Sequence, residues 1–243
     1  MTKIRLDLLL VERGLFPTRT KAQAALMAGK VRVPGKDRPK AGDLVMRDAP
    51  VEVLADACPY VSRGGLKLAG ALDAFKLGVA GRVALDLGAS TGGFTDCLLQ
   101  RGAAKVYAVD VGHGQLDAKL RADARVVNLE KTHARDLDPA AFSPRPDLAV
   151  MDVSFISLTM VLKPLLACLA RPAAVVALVK PQFELEPKKT PKGIVKDDAH
   201  REEALTRVRD AAAALGLREA GVIESPLAGA KGNREWLVYW TLR

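Results

Sequence analysis

Cysteine is scarce in this chain, and histidine equally so. The three cysteines, Cys58, Cys97 and Cys168, are odd in number and lack any Cys-x-x-Cys spacing, and the three histidines stand far apart. Neither a disulfide framework nor a zinc site is signalled, and buried free thiols are the expected state. Long apolar runs are missing too, since none reaches the roughly 18 residues that a membrane helix needs. The opening MTKIRLDLLLVERG carries charge too early and too often for a secretory signal, so a cytoplasmic location is expected. Acidic residues are short in one place above all. Residues 1–40 hold ten Lys/Arg against three Asp/Glu, so a surplus of seven out of the chain's net +9 falls in its first sixth. Such a concentration suits an anionic partner and resembles a footprint on nucleic acid, although a solvated basic face gives the same pattern.

What is present is ample apolar material: 49% of 243 residues, enough for one or two domains with real cores. The N-terminal part reads as a small α+β module. RLDLLLVERGL is apolar at Leu6, Leu9, Leu10 and Val11, a helical spacing closed by Gly14. Thr18 or Thr20 can cap a second helix over TKAQAALMAG, Gly29 can supply its left-handed exit, and KVRV alternates like a strand. GDLVMRDAPVEVL adds two short strands. Arg5, Arg19, Lys21, Lys30 and Arg32 are the candidate RNA contacts, clustered about the second helix and the turn after it.

Beyond Ser62 the rhythm becomes strand and helix in alternation. RVALDLG, AKVYAVDVG, RVVNLE, PDLAVMDVSF and AAVVALVKP are strand candidates, followed by a long helix about HREEALTRVRDAAAALG and a closing pair, REAGVIES and EWLVYWTL. Continuous apolar strands separated by helices indicate a mostly parallel sheet buried on both faces. PLAGAKGNR is too short to hold a crossover helix, so the last two strands should pair antiparallel, giving a doubly wound α/β sheet of seven strands with one reversed. The expected division is residues 1–58, a connecting segment at 59–63 that includes part of ACPYVS, and a second domain over 64–243.

In such a sheet the ligand crevice lies past the carboxyl ends of the strands, where strand order reverses. The bend in LDLGASTGGFT falls there. Gly88, Gly92 and Gly93 permit tight turning and close approach of a ligand, with Ser90 and Phe94 beside them, and the next helix opens toward the crevice. Asp110 ends the second strand, where an acid can accept from a ribose diol. The pattern is neither G-x-G-x-x-G nor a phosphate loop, and Asp86 stands just before the first glycine. That acid would repel a pyrophosphate, as in NAD, and favour the ammonium of S-adenosylmethionine (AdoMet), the preferred ligand.

Asp152 in VMDVSF and Lys180 in ALVKPQF end strands at the ligand edge, where a charge is costly without a partner. Glu235 begins the last strand, and Lys67 lies on a helix off its core stripe of Leu68, Leu72 and Phe75. These four either converge or form ordinary solvated and rim pairs. Converged, they suit methyl transfer to a ribose hydroxyl. A lysine near another cation and a low-dielectric wall can act as base, carboxylates orient it, and positioning does most of the rest. ELEPKKTPKGIVKDD, beside Lys180, is either a substrate lid or an ordinary loop.

RLDLLLVERGL…TRTKAQAALMAGKVRV resembles the S-four RNA-binding domain of ribosomal proteins and tyrosyl-tRNA synthetases. PYVSRGGLKLAGAL, DLGASTGGFTD, AVDVGHGQL, DVSFISL, LVKPQFE and GNREWLVYW resemble, in that order, the TlyA family of FtsJ-like ribosomal RNA methyltransferases. The resemblance covers almost the whole chain. It implies a class I AdoMet-dependent, Rossmann-like methyltransferase fold and 2'-O-methylation of cytidine in small- or large-subunit ribosomal RNA. It further implies a tetrad of Lys67, Asp152, Lys180 and Glu235 with Lys180 as base. AdoMet contacts are implied at Gly88, Ser90, Gly92, Gly93, Asp110 and Asp152, with Asn128 or Glu130 approaching the adenine. STGG stands where many FtsJ-like members have A-P-G-G. Base methylation is the nearest rival, but those enzymes place D/N-P-P-F/Y where this chain has DVSF. Two rivals of a different kind are a haemolysin-like membrane activity, for which the sequence offers no inserting segment, and a non-catalytic RNA-binding role.

Overall fold

The computed structural model describes residues 2–16, 18–27, 29–37, 39–53 and 58–243, the side chains of residues 24 and 230 excepted. Ala28, Arg38, Leu54 and Ala57, which entered the expectations above, lie outside the described residues. The chain forms two compact units, Met1–Pro59 and Tyr60–Arg243.

In the small unit, strand β1 (Lys3–Arg5) leads into helix α1 (Leu6–Glu12), followed by α2 (Arg19–Met27), β2 (Val31–Arg32), β3 (Leu44–Met46) and β4 (Glu52–Val53). Leu6, Leu9 and Leu10 of α1 bury against Ala22, Leu26, Val31 and Val45, a core set by the helical spacing of the leucines. Of the two possible caps for α2, Thr18 serves: its hydroxyl accepts from Lys21 N at 3.2 Å. Gly14 and Gly29 take the expected left-handed exits, at φ +68° and +70°. The strand β1 was not foreseen; it pairs antiparallel with β3, Ile4 opposite Val45, while β2 pairs with β4.

Asp7, on the first turn of α1, is fully buried. It accepts from Arg5 Nε and Nη2 at 3.1 and 3.0 Å, from Gln23 Nε2 at 2.8 Å and from Arg19 Nε at 2.9 Å. Arg5 foremost, with Gln23 and Arg19, holds this carboxyl well below the usual range despite its burial. The two guanidiniums are thereby fixed while their side chains stay 42% and 50% exposed. Lys21 and Arg32 are exposed and Lys30 half-buried.

The large unit contains α3 (Gly64–Ala74), β5 (Val83–Leu87), α4 (Gly93–Gln100), β6 (Lys105–Val109), α5 (Ala118–Arg121), β7 (Val126–Leu129), β8 (Leu148–Met151), α6 (Leu158–Cys168), β9 (Ala173–Val179), α7 (Pro181–Glu184), α8 (Asp198–Ala214), β10 (Arg218–Glu224) and β11 (Trp236–Leu242). The seven strands run in the order β10-β11-β9-β8-β5-β6-β7. Neighbours from β9 to β7 are parallel, and β11 is antiparallel to both β9 and β10, so one strand is reversed. All seven residues of β9 are buried, because helices cover both faces of the sheet. Strand order turns back between β5 and β8, which places the carboxyl ends of these strands at the switch point. Residues 60–63, expected to connect the two parts, fold onto this unit. Val61 N donates to the buried Asp96 carboxylate at 2.8 Å, and the Tyr60 ring lies where any side chain at Gly65 would fall.

Candidate active site

The bend after β5 owes its shape to glycine. Gly88 has φ +86°, and a Cβ there would lie 2.7 Å from the Asp152 carbonyl oxygen; Gly92 has φ +96°. A Cβ on Gly93 would meet Ser62 Oγ at 2.2 Å. The bend is therefore bare backbone, closed down on the 152–153 peptide on one side and on residues 62–65 on the other.

Two adjoining cavities open on it. The smaller, about 360 Å3, is lined among others by Lys67, Gly88, Ser90, Gly93, Asp152 and Lys180. Phe94 closes it, with Ser62 and Arg63. The larger, about 920 Å3, runs from Asp110 and Thr132 to Phe155, Gln182 and Phe183. Gly88, Ser90, Asp152 and Ser154 are common to both. Both volumes are in the range of small-molecule sites.

The four charged residues converge as two ion pairs. Lys180 Nζ lies 2.6 Å from Asp152 Oδ1 and donates to Ser154 Oγ at 2.8 Å. The Asp152 contact is a charge pairing rather than a directed hydrogen bond, since that oxygen has no partner along a bonding direction. Lys67 Nζ donates to Glu235 Oε2 at 2.6 Å. Glu235 is buried behind Lys67 instead of lining the cavity, and Gly229 makes room for it: a Cβ there would fall 1.8 Å from Glu235 Oε1. Asp110 receives Ser90 N at 2.8 Å on one oxygen and Gly112 N at 2.7 Å on the other, which fixes the carboxylate at the cavity wall with lone pairs left over for a diol.

Three sequence expectations come out differently. Asp86 lines neither cavity; it is fully buried, accepts from the Thr95 hydroxyl at 2.6 Å, and leaves Oδ1 without a hydrogen-bond partner. Gly92 also lies behind the bend, against Leu116 and Leu120. Asn128 on β7 lines neither cavity, and Glu130 spends its carboxylate on the backbone amides of Gln115 and Leu116, at 2.8 and 3.2 Å. The cavity wall on that side is instead Thr132 to Arg135. Ser154, Gln182 and Phe183 were not singled out; their adjacency to Asp152 and Lys180 was the available signal. The basic loop is fastened, with Asn233 Nδ2 donating to Gly193 O at 2.8 Å and its Oδ1 accepting from Val195 N at 3.0 Å.

Burial pushes the Asp86 carboxyl up to about 7, against the Thr95 hydrogen bond, and the negative neighbours Asp152 and Asp110 add to it. The sign follows. The fold prefers the neutral acid while the unfolded chain ionises near 3.8, so this stabilisation is complete below about pH 4 and is lost as pH rises to about 7. The loss should reach a few kcal/mol, at about 1.4 kcal/mol per pKa unit. In denaturant titrations at pH 4 and pH 7.5, Asp86→Asn should gain on the wild type as pH rises; parallel stabilities over this window would assign the pH response elsewhere.

A doubly wound sheet with one reversed strand, a glycine bend under an acid-ended second strand and a lysine-carboxylate rim defines a group-transfer enzyme of the nucleoside-cofactor type. The family model for FtsJ-like methyltransferases matches residues 60–242, and that for the S4 domain matches residues 4–45. The chain belongs to the FtsJ-like methyltransferase family, with an S4 domain before the catalytic part. It is 48% identical over 239 residues to the 16S/23S rRNA (cytidine-2'-O)-methyltransferase TlyA of Mycobacterium tuberculosis, an alignment spanning 98% of this chain and 89% of that protein. Hemolysin A of Brachyspira hyodysenteriae is 41% identical, over 98% of this chain and 100% of its own length. A Streptococcus thermophilus chain solved under the name of a hemolysin superposes with TM-score 0.78 at 42% identity, covering 99% of this chain and 89% of that one. Among the described residues no helix is long and apolar enough to cross a membrane.

Proposed function

We propose that this chain methylates the 2'-hydroxyl of a cytidine in ribosomal RNA, with AdoMet as donor. The observation that carries the reading is the convergence of Lys180–Asp152 and Lys67–Glu235 on one cavity beside the glycine bend. The site fits the cofactor: the bend has no room for side chains where it closes on Asp152, and the fixed Asp110 carboxylate faces the larger cavity, where a ribose diol can be held. Asp86 lies beneath the bend with one oxygen unpartnered and lines neither cavity. Bound AdoMet supplies an electrophilic methyl group on a sulfonium.

The rest falls to this chain's own residues. Ser154 accepts one N–H of Lys180 and Asp152 lies 2.6 Å from the same nitrogen, so once the ammonium has released a proton the oriented amine has its lone pair left for the proton of the ribose hydroxyl. Lys67, braced by Glu235, presents a cation on the same wall, where negative charge grows on the attacking oxygen. Phe155, 92% exposed at the mouth of the larger cavity with φ +63°, offers an aromatic face to an extruded nucleotide. In the S4 part, Arg5 and Arg19 fixed by Asp7, together with Lys21, Lys30 and Arg32, are the surface for RNA phosphates. A ribosomal substrate makes the cytoplasm the place of action.

Mass spectrometry of nucleosides from RNA treated with the protein and AdoMet tests this directly. A methyl on the sugar of cytidine is expected; a methyl on any base would refute the assignment.

A further inference from the structure

Four buried side-chain oxygens among the described residues have no hydrogen-bond partner: Asp86 Oδ1, Asn128 Oδ1, Asp152 Oδ1 and Gln182 Oε1. Asp152 is offset by the charge of Lys180, and Asp86 and Asn128 line neither cavity. Gln182 lines the larger cavity, and its oxygen has neither a donor nor a countercharge. An amide acceptor kept from water without a donor is unfavourable, and nothing in the local backbone requires it.

The support of this side chain is rigid. Gln182 lies on α7, the single turn that directly follows Lys180. Glu184 at the end of that turn accepts from Leu158 N at 2.9 Å and from the Ser157 hydroxyl, and Arg207 donates to Glu184 O at 3.0 Å. The turn is thus bolted to the segment that carries Asp152, Ser154 and Phe155. Its next residue, Phe183, packs a ring 5.1 Å from that of Phe155. An amide two residues from Lys180, on a fixed support and lining the same cavity as these two aromatic rings, is placed for a nucleobase edge.

We propose that Gln182 reads the target base, accepting from an exocyclic amino group through Oε1 and donating through Nε2 to the adjacent ring nitrogen. Among pyrimidines that pattern belongs to cytosine, since uracil offers a carbonyl in place of the amino group. The terminal amide torsion is broad, so a rotation brings Oε1 to the cavity without disturbing the turn; the opposite flip would match uracil, so selectivity requires that the first rotamer be held on the bound RNA, which the uridine arm of the test reads. The inference rests on the proposed ribose methylation and adds base selectivity at the same site.

The test compares kcat/KM on ribosomal RNA with the mapped cytidine and with uridine in its place, for the wild type, Gln182→Leu and Gln182→Glu. Gln182→Leu should lose about tenfold or more on the cytidine RNA and much less on the uridine RNA, with AdoMet affinity within about twofold of wild type. Gln182→Glu, which keeps an acceptor for the amino group but sets a second acceptor against the ring nitrogen, should not restore the preference and should shift the ratio toward uridine, whose N3–H can donate to the carboxylate. An unchanged cytidine-to-uridine ratio in Gln182→Leu, or a tenfold loss of AdoMet affinity, overturns the assignment. Wild-type product methylated on a base shows instead that the ribose reading has failed, and this assignment falls with it.

Discussion

Lys180→Met should reduce the single-turnover methylation rate by about 10^2 to 10^4 while changing AdoMet affinity by less than about threefold. Methionine keeps the length and apolar character of the stem, so the wall of the smaller cavity survives and what is removed is the amine. Lys180 is 8% exposed, and its amine lies 2.6 Å from Asp152 and is bonded to Ser154. In the proposed mechanism Asp152 and Ser154 orient this amine toward the reacting hydroxyl, so its loss belongs in the chemical step. A thousandfold effect corresponds to about 4 kcal/mol of transition-state stabilisation. Ser154→Ala removes only an orienting acceptor and should be milder. Near wild-type rates for Lys180→Met from pH 6 to 9 would mean that the proton leaves by another route.

Gly88→Ala should all but abolish cofactor binding, with a loss of tenfold or more in AdoMet affinity by calorimetry and a clear drop in melting temperature. Two penalties combine. At φ +86° an L-residue is strained by about 1–2 kcal/mol. The added methyl would also sit 2.7 Å from the carbonyl oxygen and 2.9 Å from the carbonyl carbon of Asp152, backbone atoms that cannot rotate away. The bend must therefore shift from the segment that carries Asp152, a residue that lines both cavities. Gly81→Ala is the control: its φ is +76° with nothing within 4 Å of the new methyl, so it is strained but crowds no neighbour, and AdoMet affinity should hold. Equal effects of the two substitutions would reduce the role of Gly88 to backbone geometry alone.

Much of this was legible in the chain. Aliphatic runs ending in Asp110, Asp152 and Lys180 mark both the strands and the edge at which they stop, because a charge after a buried run is favoured at a strand end, where it can find partners. The shortness of PLAGAKGNR dictated the reversed strand. What escaped the sequence depends on where a side chain turns after its strand ends. Asp86 reads as a ligand-facing acid, yet the bend folds over it and hands its oxygen to Thr95. Glu130 reads as an adenine contact, yet its Oε1 closes the loop at residues 115–116. Phe155 is aimed outward by a positive φ that no periodicity reveals. The strand β1 is three residues long, and its partner lies some forty residues on, so no local pattern announces it.

Strand β11 enters the sheet against the grain, Trp236 beside Val179 and Leu242 beside Ala173. Its polarity sends the hairpin turn to the reactive rim and its exit to the far edge. Drift in the turn's length or composition thus retunes catalysis through Glu235 and Gly229, whereas cargo appended after Arg243 would emerge on the side of the sheet remote from chemistry.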